Sequence, residues 1–139
     1  MKGILLLLLA IALISGLCAG DGNEFVNILN PQDGSLVSQR SMVDGNSSAV
    51  SGIRAYVLVW PFETDGPWWI QPTQTNSDGS WESNAYFGSD GSIINGKTYK
   101  IIAIITGHEL IPGEVFFNLP PHLAKSDEIE VKGANGDSP

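Results

Sequence analysis

The side chains best suited to catalysis are few in this 139-residue sequence. Two histidines, His108 and His122, lie in a loop-rich stretch near the end, and the single cysteine, Cys18, lies near the start. Serine and aspartate are plentiful, but no nucleophile elbow and no glycine-rich helix start favours a Ser-His-Asp hydrolase. His108 and Glu109 with His122 could offer three metal ligands, although their spacing matches no zinc motif. We expect no catalytic activity and no metal centre, with a metal-assisted hydrolase at His108 as the enzymatic alternative.

Aspartates that precede glycines raise the question of calcium. Six Asp-Gly pairs begin at residues 21, 33, 44, 65, 78 and 90. Asp stabilises its own turn and Gly adopts positive φ freely, so each pair indicates a chain reversal. Four of these aspartates would offer oxygen ligands if their loops met at one end of the fold: Asp33, Asp65, Asp78 and Asp90. Turn formation already explains every pair, so we expect no cofactor and keep calcium as the alternative.

A cluster of aromatic residues is the main candidate for function. Trp60, Phe62, Trp68 and Trp69 fall within ten residues, interrupted by prolines. Neighbouring residues of a strand point to opposite faces, so one of the tandem tryptophans can enter the core while the other stays outside. If residues 53, 55, 57 and 59 fill the core, their neighbours form an apolar stripe outside it. The candidate binding surface is therefore Tyr56, Leu58, Trp60, Trp68 and Trp69.

Exposed aromatic side chains stack on sugar rings or anchor a protein partner, because they supply a large contact area at a small entropic cost. We expect recognition, adhesion or structural support at the cell surface, with a protein or a glycan as partner. A carbohydrate-binding module that uses Trp60, Trp68 and Trp69 as a stacking platform is the alternative. A third interpretation is that the segment 61–79 or 106–126 folds over this face and buries it.

The charge balance limits the partners. Of 7 Lys and Arg, Lys2 lies in the first 20 residues, so the rest of the chain carries six against 15 Asp and Glu, a formal charge of −9. A field of this sign repels phosphate backbones and anionic lipids, which excludes nucleic acid as a partner. With 42% hydrophobic and 16% charged residues, the chain is too apolar to be disordered.

Residues 1–20 have the pattern of a secretory signal peptide. Lys2 precedes an apolar stretch over residues 4–17, which is shorter than the roughly 20 residues that a membrane-spanning helix needs. Cleavage after Ala19 or Gly20 would leave a secreted or cell-surface protein. An uncleaved leader or a lipidated Cys18 is the alternative, and it would be the protein's link to a membrane.

The residues 24–133 are expected to form one all-β domain, followed by a flexible tail over residues 134–139. No helical periodicity follows the leader, and the reversals recur at intervals typical of short antiparallel strands. The predicted strands cover residues 25–29, 36–43, 53–60, 68–71, 80–87, 99–106 and 128–132, with 114–118 as a short strand or a loop crossing. About seven strands without helices predict a two-sheet antiparallel sandwich.

Alternation within the strands indicates which side chains are inside. Trp81 and Phe87 share one face of their strand and Glu82 and Tyr86 the other, so Trp81 is expected at the centre of the core. Residues 101–105 are apolar on both faces, as in a central strand whose outer side is also covered.

Several short motifs resemble immunoglobulin-like modules of prokaryotic secreted and surface proteins. They are ILNPQDGSLV at 28–37 followed by VDG at 43–45, DGSW at 78–81, YFG at 86–88, GKTY at 96–99, LPP at 119–121 and SDEIEV at 126–131. The resemblance implies an immunoglobulin-like sandwich with a role in recognition, spacing or adhesion, and a corner tyrosine at Tyr99 whose hydroxyl bonds backbone. The disulfide between the sheets that immunoglobulin domains proper have is missing, so hydrophobic packing alone must join them.

Asn46-Ser47-Ser48 forms an N-x-S sequon in a polar turn of the predicted fold. Asn46 is therefore a candidate glycosylation site in a host that has the machinery.

Overall fold

The computed structural model describes residues 24–88 and 93–134. This part of the chain contains eleven strands and no helix, and therefore no helix able to cross a membrane. The strands are β1 (Val26–Asn30), β2 (Leu36–Val37), β3 (Arg40–Ser47), β4 (Arg54–Pro61), β5 (Trp68–Ile70), β6 (Thr73–Thr75), β7 (Ser80–Tyr86), β8 (Thr98–Thr106), β9 (Val115–Phe116), β10 (Ala124–Lys125) and β11 (Ile129–Gly133). The predicted leader, Cys18, Asp90 and residues 135–139 of the predicted tail lie outside the described residues.

The strands form two sheets that pack face to face. The smaller sheet has the order β1-β3-β7-β6, and all its pairs are antiparallel. The larger sheet has the order β9-β5-β4-β8-β11-β2, with β10 pairing with β8 beside β11. The predicted two-sheet all-β sandwich is confirmed.

The structure differs from the prediction in a few strands. The stretch 36–43 is divided, because β2 pairs with β11 in the larger sheet while β3 pairs with β1 and β7 in the smaller one. The pairing of β2 with β11 is parallel, so the sandwich is not wholly antiparallel. Two short strands, β6 and β10, were not predicted, because two or three residues are too few to show a period.

The core between the sheets is the one that alternation predicts. Trp81, Ala85 and Phe87 from the smaller sheet pack against Val57, Ile101 and other apolar side chains of the larger sheet. Trp81 is 1% exposed and pairs with Gly45 of β3, where a Cβ atom would enter the tryptophan ring. Glycine at 45 is therefore required, because a Cβ there would collide with the backbone carbonyl of Asn27 in β1 as well as with the Trp81 ring.

The larger sheet is covered on its outer face as well. Tyr56, Leu58, Trp68, Ile70, Ile102 and Ile104 form a second buried cluster there. The residues that pack over this cluster are Leu110, Phe116 and Leu119. We call residues 107–119 the covering segment. It explains why β8 is apolar on both faces, as predicted for a central strand.

Candidate binding site

The predicted aromatic stripe is divided by the structure into buried and exposed parts. Tyr56 and Leu58 are buried beneath the covering segment, and Trp68 is only 6% exposed. Trp60 is half-buried, and Trp69 is 42% exposed. The expectation of an open stripe is therefore wrong for Tyr56, Leu58 and Trp68, and the alternative of a segment folded over this face describes them.

The covering segment is held in place by a hydrogen bond to Tyr56. The backbone N–H of Leu110 donates to the Tyr56 hydroxyl over 3.2 Å. The segment also pairs with β5, since Ile70 N donates to the carbonyl of Glu114 and Gly113 N donates to the carbonyl of Ile70. A tyrosine hydroxyl thus anchors a crossing loop, and it belongs to Tyr56. For Tyr99, no such bond is found among residues 24–88 and 93–134, so the predicted corner tyrosine stays a prediction.

Trp60 lies at the margin of the outer cluster, and its neighbours leave it little free surface. Its ring centroid is 5.2 Å from that of Trp68. Lys100 places its ammonium 5.6 Å from the Trp60 centroid and 5.3 Å from that of Phe62. Gly66, with φ of 93°, lies directly against the Trp60 ring. Trp60, Trp68 and Trp69 therefore do not share one surface, and the three-tryptophan stacking platform is not formed.

Trp69 points to the opposite side of the larger sheet. It pairs with Val59 across β4 and β5, and paired residues project from the same face. Val59 belongs to the core between the sheets, so Trp69 faces inward. It is nevertheless exposed, because the chain leaves the larger sheet after β5 and enters the smaller sheet as β6. The sandwich is open where Trp69 lies.

This opening is a cleft of about 380 Å³. Trp69, Val59, Pro61 and Ile94 supply apolar walls, while Glu63, Thr64, Gln71, Lys97, Thr98 and Tyr99 add polar groups. A mostly apolar cleft with a few polar groups is the usual form of a ligand site. We take this cleft as the candidate binding site.

Gln71 fixes the base of the cleft. Its side chain is buried, its Nε2 donates to the carbonyl of Trp69 over 3.2 Å, and its Oε1 accepts from the backbone N–H of Tyr86 over 2.8 Å. The amide thus joins the strand that carries Trp69 to the end of β7. Tyr86 also lines the cleft, and the Arg40 guanidinium lies 5.0 Å from the centroid of its ring.

The charged groups of the cleft form one ion pair. Lys97 Nζ lies 3.0 Å from Glu63 Oε1, and the hydrogen bond to Glu63 raises the pKa of Lys97. Burial raises the pKa of the Tyr99 hydroxyl, an effect that Lys97 opposes and Glu63 reinforces. The phenol of Tyr99 therefore lies close enough to feel both charges and stays protonated at neutral pH.

The predicted metal and calcium residues do not gather. Within residues 24–88 and 93–134, no three His, Cys, Asp or Glu side chains lie close enough together to hold a metal ion. Asp33 accepts a hydrogen bond from the backbone N–H of Glu130 and so joins its loop to β11. Asp78 accepts from Ser80 and caps its own turn. Asp65 follows the last residue of β4, at the end of the sandwich where the cleft lies. Asp78 precedes the first residue of β7, at the opposite end of the sandwich.

The histidines of the alternative hydrolase are exposed and belong to separate turns. His108 donates its backbone N–H to Thr106 Oγ1 over 3.1 Å. His122 places Nδ1 2.8 Å from the carbonyl oxygen of Pro120. Each contact is local to its own turn and does not bring the two histidines together.

Asn46 lies in a strand and not in the predicted turn. It belongs to β3 and pairs with Ser80 and Asn27. Its side chain is exposed, and its Oδ1 accepts a hydrogen bond from Asn27 Nδ2 over 3.1 Å. The sequon therefore presents Asn46 on the outer face of the smaller sheet.

The polar residues of the cleft were not found from the sequence. Glu63 follows β4, Gln71 follows β5 and Lys97 precedes β8. No spacing in the chain joins them, and only the pairing of β4 with β8 brings Glu63 beside Lys97. No protein-family model matches the sequence, and no curated protein does. The candidate site therefore rests on the geometry of the described residues.

Proposed function

We propose that this chain is an exported immunoglobulin-like module that recognises a partner outside the cell and carries out no catalysis. The order of the strands supports the family. The smaller sheet, β1-β3-β7-β6, corresponds to the A-B-E-D order of immunoglobulin domains, and β4, β8 and β11 correspond to C, F and G. The strand β5 then lies where variable-type domains add C′ to the C strand.

The exposure of Trp69 carries the proposal of recognition. A tryptophan whose strand neighbours are buried, but whose own ring lines an open cleft, leaves a large apolar area in water. Buried aromatic anchors contribute much of the binding free energy at interfaces. Gln71 holds the backbone carbonyl of Trp69, so the strand that carries the ring is already ordered before a partner binds.

The test compares Trp69→Ser with Leu29→Ser in the full chain. Leu29 is exposed to a similar degree, but it lies on the edge strand β1 of the smaller sheet, away from the cleft. The variants are applied to immobilised glycans and to immobilised secreted and surface proteins. We expect the wild type and Leu29→Ser to be retained on one of the two arrays, with Trp69→Ser at least about tenfold weaker.

Retention of Trp69→Ser equal to that of the wild type would remove the cleft as the contact surface. Absence of retention of the wild type on both arrays would contradict recognition as the function. Circular dichroism of the three proteins checks that the strands are intact in each.

A further inference from the structure

We infer that the cleft beside Trp69 takes one neutral sugar ring at the end of a glycan. The inference rests on the proposed recognition function and names the chemical class of its ligand. It follows from four features of the cleft: an aromatic wall, a set of hydrogen-bonding groups, a local charge close to zero, and a small volume.

The aromatic wall is the Trp69 ring. Pyranose rings have one face of C–H groups that stacks on a flat aromatic surface, and tryptophan supplies the largest such surface. The single exposed tryptophan of the cleft, with Pro61 and Ile94 beside it, offers room for one ring and not for a row of rings. Trp60 and Trp68 lie on the other face of the sheet and cannot extend the platform.

The hydrogen-bonding groups suit hydroxyls. Glu63 is an acceptor, Lys97 is a donor, and their ion pair is exposed enough for a ligand to join it. Tyr99 is 4% exposed, and within the described residues its hydroxyl meets no hydrogen-bond partner. A hydroxyl in a cleft wall can donate a hydrogen bond to a ligand or accept one from it.

The charge of the site favours a neutral ligand. Lys97 and Glu63 compensate each other, so a cation or an anion would have to compete with an ion pair already formed at 3.0 Å. The formal charge of −8 of the whole chain repels acidic ligands further. A hydroxyl-bearing ring bonds both members of the pair without separating them.

The size of the cleft limits the ligand to its end group. A volume of about 380 Å³ lies near the lower end of the roughly 300–1,000 Å³ typical of ligand sites. A terminal sugar ring would enter, and the rest of the glycan would remain in solvent.

The experiment titrates the full chain with methyl α- and β-pyranosides of glucose, galactose, mannose and N-acetylglucosamine. Binding is followed by tryptophan fluorescence and by two-dimensional NMR of the indole N–H groups. For at least one glycoside we expect saturable binding with a dissociation constant on the order of 1 mM, since one ring makes few contacts. The Trp69 indole signal should shift most.

Single substitutions separate the contributions of the aromatic ring and of the hydroxyl to glycoside binding. Trp69→Ala should weaken binding at least about tenfold, and Trp69→Phe should recover part of it. Tyr99→Phe should weaken binding severalfold, because it removes a hydroxyl of the cleft wall that would bond the ligand. Phe62→Ala is the matched control: Phe62 is 42% exposed like Trp69, but it packs beside Lys100 on the outer face and should bind as the wild type does.

The outcomes distinguish this inference from the proposed function. If no glycoside binds while Trp69→Ser loses retention on the protein array, the ligand is not a sugar and the recognition function stands. If a glycoside binds Trp69→Ala as tightly as the wild type, sugar binding occurs elsewhere and the inference is wrong. If neither array retains the wild type and no glycoside binds, both proposals fail.

Discussion

The two faces of the larger sheet are both buried, but they are buried by different means. The inner face packs against a second sheet, whose strands are tied to one another by backbone ladders. The outer face is covered by residues 107–119, in which only the two residues of β9 are in a strand. A regular layer holds its position by many cooperative bonds, whereas a single segment depends on a few. The inner face should therefore be rigid and the outer face adaptable.

The strand β8 contributes to both faces, which allows a close comparison. Ile101, Ala103 and Ile105 belong to the inner core, while Ile102 and Ile104 belong to the outer cluster. All five are essentially inaccessible to solvent. Differences between them in mutational cost therefore reflect what covers each face and not how much surface is buried.

The largest loss of stability is expected for two tryptophans, Trp81 in the core between the sheets and Trp68 in the cluster on the outer face of the larger sheet. Trp81→Ala and Trp68→Ala each remove a large buried ring, a change that usually costs about 3–5 kcal/mol of unfolding free energy. We expect Trp81→Ala at the upper end, because the two sheets cannot close around the cavity, and Trp68→Ala near the lower end, because the covering segment can move inward. Urea denaturation followed by circular dichroism measures both.

Equal losses for the two tryptophans would contradict the difference in rigidity. If Trp81→Ala does not fold, Trp81→Phe and Trp68→Phe repeat the comparison with smaller cavities. The unfolding slopes of all variants should match that of the wild type, since a changed slope would indicate an altered unfolded state.

A smaller effect is expected for adjacent isoleucines. Ile101→Ala and Ile102→Ala remove the same atoms from neighbouring positions of one strand. The loss of intrinsic strand propensity is therefore the same in both variants and drops out of their difference. Such changes cost about 2–5 kcal/mol in well-packed cores. We expect Ile101→Ala to lower the free energy of unfolding by at least about 1 kcal/mol more than Ile102→Ala, measured by urea denaturation. A larger loss for Ile102→Ala would mean that the covering segment is the more rigid of the two layers.

The sequence predicted the inner face well and the outer face only in part. The period of two in residues 80–87 assigned Trp81 to the core and Tyr86 to the outside, as found. The apolar run of β8 indicated that both faces are covered. Residues 107–119 show no period, however, so the sequence offered the segment 106–126 as one candidate cover beside 61–79 and could not choose between them.

The site was harder to predict because it depends on where the chain changes sheets. Alternation indicates that Trp68 and Trp69 point apart, but it cannot say which faces the second sheet. The direction is decided at Gln71 and Pro72, where the chain passes from one sheet to the other. The backbone N–H of Gln71 donates to the carbonyl of Val57 in the larger sheet over 2.8 Å, and Ser83 Oγ in the smaller sheet donates to the carbonyl of Pro72. These contacts join residues far apart in sequence, and no local pattern encodes them.

The anchor of the covering segment gives a third, smaller prediction. Tyr56→Phe removes the hydroxyl that accepts from Leu110 N and leaves the ring in the outer cluster. We expect a loss of about 0.5–1.5 kcal/mol, the usual contribution of one hydrogen bond. Hydrogen exchange at the Leu110 amide should become faster, while exchange at Ile101 in the inner core changes only by the global loss of stability. Unchanged exchange at Leu110 would show that other contacts hold the segment.

The smallest effect concerns Tyr99, an ionisable side chain that belongs to the inner core and also lines the cleft. Burial raises the pKa of the Tyr99 hydroxyl above its ordinary value of 10.0. A folded-state pKa above the unfolded value means that the contribution of Tyr99 is complete below the unfolded pKa and is lost as the pH rises through the folded one. The free energy of unfolding of the wild type, relative to that of Tyr99→Phe, should therefore fall as the pH rises from about 9 through the unfolded and then the folded pKa of Tyr99. Urea denaturation across this range measures it, with tyrosinate absorbance reporting the ionisation. A difference that stays constant across this range would mean that Tyr99 ionises as freely in the folded chain as in the unfolded one, which would contradict the effect of burial on its hydroxyl.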